Sequence, residues 1–162
     1  MKKLWIFLFI ILLVFFFISC STDPETEVPL SLLYGTWVSG YGEYFIFDDS
    51  SSYYEYGQLT GDYAGTYIEA KIHEIVTFDS DNTSGLVIFE YMPAYVYGSD
   101  SFSAAYFTDR TAKSARISAS PWEGDFYTGS EPRKGSVAEV RSFFTVHNVS
   151  TYFGMTSACA KQ

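Results

Sequence analysis

The chain has 162 residues, with 19 acidic and 10 basic side chains and a net charge of −9 at pH 7. That length fits one domain behind a short leader, and the 14 Tyr and 15 Phe are ample for its core. An acidic surface of this size repels nucleic acid phosphates and anionic lipid head groups, which argues against both as partners.

The N-terminus has the layout of a signal peptide. Lys2 and Lys3 are followed by an unbroken apolar run over residues 4–18, and then by Ser19 and Cys20. The run is shorter than the roughly 18 apolar residues typical of a spanning helix, and a segment of this layout is removed rather than folded. An uncleaved signal anchor is the alternative.

The end of this segment, Phe-Ile-Ser-Cys at residues 17–20, resembles the lipobox of bacterial lipoproteins. In that family the signal peptide, here residues 1–19, is cleaved, and the cysteine is acylated and becomes the new N-terminus. The resemblance therefore implies membrane attachment through acyl chains on Cys20. Phe17 stands where leucine is usual in the family. Ser21 replaces the aspartate that retains some lipoproteins at the inner membrane, which favours the outer membrane, on its periplasmic or surface face.

A tether is expected to follow the cleavage site. Residues 20–31 are polar and acidic and contain Pro24 and Pro29, a composition typical of a flexible linker between a membrane and a folded domain. The folded domain is then expected over residues 32–162. Without the leader the chain keeps 8 basic and 19 acidic residues, so the mature protein is more acidic than the full sequence.

From Leu32 onward the sequence predicts short strands separated by turn residues. Eight strands are expected, at residues 34–39, 43–48, 53–58, 63–70, 72–79, 85–92, 102–108 and 113–120. Alternation of apolar and polar residues is clearest from Ala64 to Phe78, where Glu74 is out of phase and a bulge would restore the pattern. This spacing predicts a mainly β fold, a single small antiparallel β-barrel of about eight strands, with a sandwich as the alternative.

One helix is predicted beyond the strands. Ser136 and Glu139 have the spacing of a capping box, which begins a helix that runs to about Thr145. Val137, Val140, Phe143 and Phe144 would give this helix an apolar face to pack against the barrel.

The C-terminal residues are predicted to add little to the fold. Residues 149–153 are interpreted as a last short strand and residues 154–162 as a tail. Cys159 lies in this tail and is the one thiol left if Cys20 is acylated. It is expected either to be unpaired on a loose tail or to form an intermolecular disulfide.

The segment Gly35-Thr36-Trp37 on the first predicted strand resembles the first motif of the lipocalin family, Gly-x-Trp. In that fold the indole closes the base of an eight-stranded barrel, so the resemblance implies structural roles for the glycine and the tryptophan. It also implies a cavity for a small apolar ligand and an arginine over the indole, for which Arg116 and Arg141 are both candidates. Another small β-barrel or sandwich, with Trp37 as an ordinary core residue, is the alternative.

One stretch has the look of a metal loop. Asp79 and Glu90 stand at the first and twelfth positions of a calcium-loop spacing, but Ser84 occupies the sixth position, where the loop rule requires glycine, and strands replace the flanking helices. An acidic hairpin turn explains the same residues. We therefore predict no metal site.

No catalytic grouping stands out in the sequence. His73 and His147 are far apart, and the chain contains no Gly-x-Ser-x-Gly, His-Glu-x-x-His or Cys-x-x-Cys motif. The prediction is a protein that is not an enzyme and has no cofactor.

Glu90 and Tyr91 are the candidates to line a ligand site. Glu90 shares a strand face with Leu86 and Ile88, so its carboxylate must be paired, bound to a ligand, or at a wet strand end. Tyr91 belongs to a group of tyrosines with Tyr95 and Tyr97 that would form a ligand surface, although packing on neighbouring strands is the more frequent role.

Together these features predict a membrane-anchored lipoprotein of the cell envelope. Its non-enzymatic, lipocalin-like domain would bind a small apolar ligand or an envelope protein. The alternative is a surface-exposed adhesion or structural lipoprotein, with a filled barrel and no ligand cavity.

Overall fold

The computed structural model describes residues 29–92, 101–122, 131–154 and 156–162. Within them the chain forms eight strands: β1 (Gly35–Ser39), β2 (Glu43–Asp48), β3 (Tyr53–Gln58), β4 (Gly65–Thr77), β5 (Gly85–Tyr91), β6 (Phe102–Thr108), β7 (Ser114–Ser118) and β8 (Ser157–Lys161). A turn of 3-10 helix (Leu30–Leu32) precedes β1, and two helices separate β7 from β8: α1 (Val137–Phe143) and α2 (Val149–Tyr152). The predicted signal peptide, Cys20 and the tether up to residue 28 lie outside the described residues.

The strands form one closed barrel. Each strand pairs antiparallel with the next in sequence, and β8 pairs with β1. Trp37 shows the closure, because it lies opposite Phe45 of β2 on one side and opposite Lys161 of β8 on the other. The prediction of a mainly β, eight-stranded antiparallel barrel with one main helix near the C-terminus is confirmed, and the architecture fits a lipocalin-like fold.

Strand β4 is continuous where the sequence predicted two strands. The predicted break at residue 71 is wrong because Lys71 is exposed between the buried Ala70 and Ile72, which continues the alternation. The register of β4 against β5 shifts between Ile72 and Glu74. This is the bulge that the out-of-phase Glu74 predicted, and it keeps the strand in one piece.

The eighth strand comes from the segment that the sequence assigned to a tail. Strand β8 pairs with β7 and β1 and closes the barrel. Cys159 therefore points into the core and is 5% exposed. Cys159 is unpaired, as one expectation had it, but it lies on a paired strand and not on a loose tail. The expected intermolecular disulfide is wrong, since the buried thiol is not available to a second chain.

Residues 149–152 form helix α2, so the predicted strand at 149–153 is also wrong. Val149 and Phe153 are four residues apart and both are buried, which is helical spacing. They join Phe144 in one cluster, with the Phe144 and Phe153 rings 5.2 Å apart. The apolar residues of this segment thus bury themselves by packing on α1 rather than by pairing with a strand.

Helix α1 begins where the capping box predicted. The hydroxyl of Ser136 accepts a hydrogen bond from the Glu139 amide at 3.2 Å, and the Glu139 carboxylate accepts one from the Gly135 amide at 2.9 Å. Val140 is buried against the outer face of the barrel. Among the described residues, none of the helices has the length and apolar character needed to cross a membrane.

Two apolar clusters follow from this arrangement. The inner cluster fills the barrel, and the outer cluster lies between α1, α2 and the outside of β5 and β6. Strand β5 contributes to both, with Val87 and Phe89 facing inward and Leu86 and Ile88 facing the helices. This two-sided burial explains why β5 is apolar on both faces.

The base of the barrel is closed by the segment that precedes β1. The indole nitrogen of Trp37 donates to the Leu33 carbonyl oxygen at 2.7 Å, and Lys161 Nζ donates to the Leu32 carbonyl oxygen at 2.7 Å. Lys161 Nζ also lies 5.6 Å from the centroid of the Trp37 ring. Gly35 passes directly beneath this lysine with a φ of 127°.

The cation over Trp37 is therefore a lysine, and both arginine candidates are wrong. Arg116 is exposed and donates to the Thr156 hydroxyl at 3.0 Å, while Arg141 pairs with Glu74 on the outside. A third arginine, Arg110, is buried at the base instead.

Candidate ligand cleft at the open end

The two ends of the barrel are built differently. At the base the turns at residues 49–52, 78–84 and 109–113 lie with the segment that enters β1. The opposite end carries the turns at residues 40–42 and 59–64 and the long connection that leaves β7. Since consecutive strands alternate in direction, the described N-terminal segment enters at the base and the open end points away from it.

A cleft of about 920 Å³ lies at the open end. Its deepest apolar side chains are Phe45 of β2 and Ile117 of β7, both buried. Trp122 and Tyr152 form an outer wall, which is fixed by a hydrogen bond of 2.8 Å from the Trp122 amide to the Tyr152 carbonyl oxygen. The cleft therefore has an apolar floor and aromatic sides.

Below the cleft the barrel is filled by aromatic side chains. The rings of Phe47 and Tyr54 stack with centroids 5.1 Å apart, and the rings of Tyr54 and Phe89 are 4.8 Å apart. All three side chains are fully buried. A ligand in the cleft is accordingly confined to the upper part of the barrel.

Glu43 is the one acidic residue among the described side chains that line the cleft. It begins β2 and faces inward like Phe45 and Phe47, two and four residues further on. Its Oε2 accepts from the hydroxyls of Ser39 and Ser157, and its Oε1 accepts from the Tyr56 hydroxyl at 3.2 Å. Three strands thus hold this carboxylate in place through hydroxyl groups.

The Glu43 carboxylate helps to raise the pKa of two neighbouring groups. Burial, and then the nearby Glu43 carboxylate, raises the pKa of the Cys159 thiol to about 12. The same two causes raise the pKa of the Tyr56 hydroxyl. Both groups are therefore protonated at neutral pH, and Tyr56 remains a hydrogen-bond donor to Glu43.

A second carboxylate, that of Glu131, lies near the same end of the barrel but across β5 and β6. It accepts hydrogen bonds from the hydroxyls of Tyr91 and Ser103 and pairs with Arg133 at 3.2 Å. The Arg133 guanidinium lies 5.2 Å from the centre of the Tyr91 ring. This carboxylate is neutralised by its own arginine, unlike Glu43.

The two predicted ligand-lining residues lie on opposite faces of β5. Glu90 faces outward and its carboxylate is 2.8 Å from His73 Nε2, with both side chains about a quarter exposed. Tyr91 faces inward and is 2% exposed beneath Glu131. Neither is among the described residues of the cleft, so their positions lend no support to the ligand-lining role. Tyr95 and Tyr97 lie outside the described residues.

The Gly-x-Trp residues lie at the closed base, far along the strands from the cleft. Gly35 and Trp37 contact Lys161 and the segment before β1, as described above. In the structure both residues pack at the base, away from the cleft.

The calcium-like stretch forms the β4–β5 turn. The Asp79 carboxylate accepts a hydrogen bond of 2.7 Å from the Thr83 amide and another from the Ser84 hydroxyl. Glu90 is the sixth residue of β5, outside this turn, and pairs with His73. Within the described ranges no three His, Cys, Asp or Glu side chains come together as metal ligands.

Glu43 was not predicted as a site residue, although the sequence contains a signal for it. In the run Glu43-Tyr-Phe45-Ile-Phe47 the carboxylate shares a strand face with two phenylalanines, the same pattern that singled out Glu90. Ser157 could not be found in this way, because its strand was not predicted.

Comparison with known proteins finds a similarity of structure. No protein-family model and no curated protein matches the sequence. The structure is similar to the crystal structure of Treponema pallidum Tp0751 (pallilysin), with a TM-score of 0.50 and 9% sequence identity over 88% of each chain. A likeness at this identity shows a shared fold and carries no information on activity.

Proposed function

We propose that this protein is a lipid-anchored, non-enzymatic binding protein of the cell envelope, whose open-end cleft holds a small ligand with an apolar body. The observation that carries the proposal is the cleft above Phe45 and Ile117. Its volume of about 920 Å³ suits a small molecule, since ligand sites typically measure about 300–1,000 Å³.

The direction of the barrel fits an anchored protein. The described chain enters at the base, so a tether from Cys20 would place the base toward the membrane and the cleft toward the aqueous side. A ligand would then arrive from solution rather than from the bilayer.

The non-enzymatic assignment is supported by the chemistry of the cleft. The described lining consists of aromatic rings, aliphatic side chains, hydroxyls, the Gln58 amide, the Arg116 guanidinium and a carboxylate that accepts hydrogen bonds from hydroxyls. Such groups position a ligand.

Ligand binding is tested by filling the cleft. In Ser120→Trp an indole at the cleft wall would occupy the ligand space, whereas Ala158→Trp places the same indole on the exposed outside of β8. Native mass spectrometry of the full chain released from its own membranes should show a bound small molecule in the wild type and in Ala158→Trp, and none in Ser120→Trp. A wild-type protein that carries no ligand and takes up no small aromatic or alkyl alcohol contradicts the proposal.

The anchor has its own test. Metabolic labelling with palmitate should mark the wild type and Cys159→Ala, and the label should be lost in Cys20→Ala. Label retained in Cys20→Ala would show that another residue carries the lipid.

Adhesion to another protein is the second candidate, and the rim of the cleft favours it. Tyr41, Leu59 and Tyr63 at the open end are 84%, 55% and 80% exposed. Exposed apolar groups that cluster on adjacent turns are a feature of protein interaction sites. Protease treatment of intact cells separates the two, because a chain wholly protected from added protease is not a surface adhesin.

A further inference from the structure

The Glu43 carboxylate is held rigidly at the wall of the cleft. Hydroxyls from β1, β3 and β8 donate to it, and they come from Ser39, Tyr56 and Ser157. Oε2 accepts two of these bonds and Oε1 accepts one. A carboxylate oxygen has room for about two hydrogen bonds, so Oε1 retains capacity for another donor.

The negative charge of Glu43 has no counter-ion among the described residues. The ion pairs found there join Glu90 with His73, Glu131 with Arg133, and Glu74 with Arg141. Arg116 also lines the cleft, but its guanidinium turns to Thr156, whose hydroxyl and carbonyl oxygen it contacts at 3.0 and 3.3 Å. The three hydroxyls hold the carboxylate by hydrogen bonding, and among the described residues no basic nitrogen lies within ion-pair distance of it.

Aromatic rings surround this charge. Tyr41, Phe45 and Tyr56 line the same side of the cleft as Glu43, and the Phe45 and Tyr56 rings lie 5.1 Å apart. Trp122 and Tyr152 face them from the outer wall. The faces of aromatic rings attract cations, most strongly those of Trp and Tyr, and a carboxylate in a cleft with apolar walls adds to that attraction.

We infer that the ligand of the open-end cleft is an organic cation, with an ammonium group beside Glu43 and an apolar body against the aromatic walls. This inference rests on the proposed function and narrows its ligand class. The net charge of −9 also favours a cationic ligand, because the field of the whole protein attracts cations and repels anions. A fatty acid or other carboxylate is disfavoured beside Glu43, because two negative charges repel each other there.

Three probes of nearly equal shape test the inference. 2-Phenylethylamine is a cation at neutral pH, 2-phenylethanol is neutral, and phenylacetate is an anion. Each is titrated against the full chain in phosphatidylcholine vesicles by saturation-transfer NMR, with empty vesicles as the blank. We expect the amine to bind about tenfold more tightly than the alcohol and phenylacetate to bind most weakly.

Glu43→Gln then tests whether the preference for the amine comes from the Glu43 charge. The glutamine amide keeps the shape of the side chain and can still accept a hydrogen bond from Tyr56. We expect it to weaken amine binding about tenfold and to leave the alcohol within about twofold. Glu69→Gln is the matched control. It removes a carboxylate that also accepts from a tyrosine hydroxyl, that of Tyr53, but on the outside of the barrel. Its amine affinity should stay close to that of the wild type.

The outcomes distinguish failure of the cation inference from failure of the proposed binding function. Equal binding of the three probes, a preference for phenylacetate, or an equal effect of both glutamine variants overturns the cation inference and leaves the binding function standing. Binding of none of the probes, together with no co-purified ligand, overturns both. The comparison of probes on the wild type decides the case even where Glu43→Gln fails to fold.

Discussion

Lys161 crosses the indole of Trp37 at the closed base of the barrel, with its Nζ 5.6 Å from the ring centroid. The two residues are opposite each other in the pairing of β8 with β1, and the same Nζ donates to the Leu32 carbonyl oxygen at 2.7 Å. One side chain therefore joins the last strand, the first strand and the segment that covers the base.

Replacing Lys161 by Met should lower the free energy of unfolding by about 2 kcal/mol, since a cation–π contact and a charged hydrogen bond are lost together. Urea titration followed by tryptophan fluorescence measures the change. Lys113→Met, at an exposed position in the β6–β7 turn, should stay within about 0.5 kcal/mol. An equal effect of the two substitutions would show that Lys161 acts only through surface charge.

Gly35 is required by the same arrangement. Its φ of 127° is unfavourable for any side chain, and a Cβ there would lie 2.9 Å from Lys161 Cε. Gly35→Ala should cost about 2 kcal/mol or more, and less in a Lys161→Ala background, where the clash is absent. Gly40→Ala is the control, because a Cβ at that position meets nothing within 4 Å. Thermal unfolding measures the stability of each variant. If the losses from Gly35→Ala and Lys161→Ala simply add in the double mutant, a clash between the methyl group introduced at position 35 and Lys161 is excluded.

Arg110 ties the base together from the other side. It is buried, and its guanidinium donates to the Asn82 carbonyl oxygen at 2.6 and 2.9 Å and to the Pro29 carbonyl oxygen at 3.0 Å. Arg110→Met should cost about 3 kcal/mol, because the buried Asn82 carbonyl and the part-buried Pro29 carbonyl both lose charged donors. Hydrogen exchange should quicken at residues 29–33 and 80–84. Arg141→Met, which breaks an exposed pair with Glu74, should change neither region.

The fold was predictable because its signals are local. Alternating apolar residues and turn residues give seven of the eight barrel strands, with only the split in β4 misplaced. Strand β8 has the sequence Ser-Ala-Cys-Ala-Lys, whose small residues have little preference for strands, and only the unpaired edges of β1 and β7 make it one. Helix α2 was missed for the opposite reason, since Val149 and Thr151 are strand formers that helix packing overrides.

The candidate site was less predictable than the fold. Glu43 could be found from its place on an apolar strand face, but its hydroxyl partners Ser157 and Tyr56 come from strands 114 and 13 residues away. The outer wall depends on how the connection after β7 folds back, which brings Trp122 onto Tyr152. Neither relationship has a local pattern, so the cleft emerges only in three dimensions.

The Asp79 carboxylate should make the free energy of unfolding depend on pH in the acid range. Burial alone would raise the pKa of this carboxyl, but hydrogen bonds from Ser84 and Thr83 outweigh it and hold the pKa below its ordinary value. Its stabilising effect is therefore present above the ordinary pKa and is lost as pH falls through the lowered one. Asp79→Asn should be less stable than the wild type at pH 7 by about 1 kcal/mol, and the two should converge once the pH is below the lowered pKa of Asp79.

The control for this titration is Asp62→Asn, in the exposed β3–β4 turn. It should leave the difference between neutral and acidic pH as it is in the wild type. Urea midpoints measured across the acid range give both comparisons. A gap between Asp79→Asn and the wild type that persists unchanged at low pH would mean that the carboxylate charge is not what holds the turn.

Cys159 should react with alkylating reagents only when β8 opens. Its thiol is buried in the barrel, its pKa is raised to about 12, and Sγ donates to the Ser157 carbonyl oxygen at 3.2 Å. At pH 8 the folded protein therefore offers almost no accessible thiolate, and N-ethylmaleimide should modify it at the rate of local unfolding. Ala160→Cys, in a Cys159→Ala background, puts a thiol on the exposed face of the same strand and should react at least about 100-fold faster. Similar rates for the two thiols, read by mass spectrometry, would mean that β8 is not the strand that closes the barrel in solution.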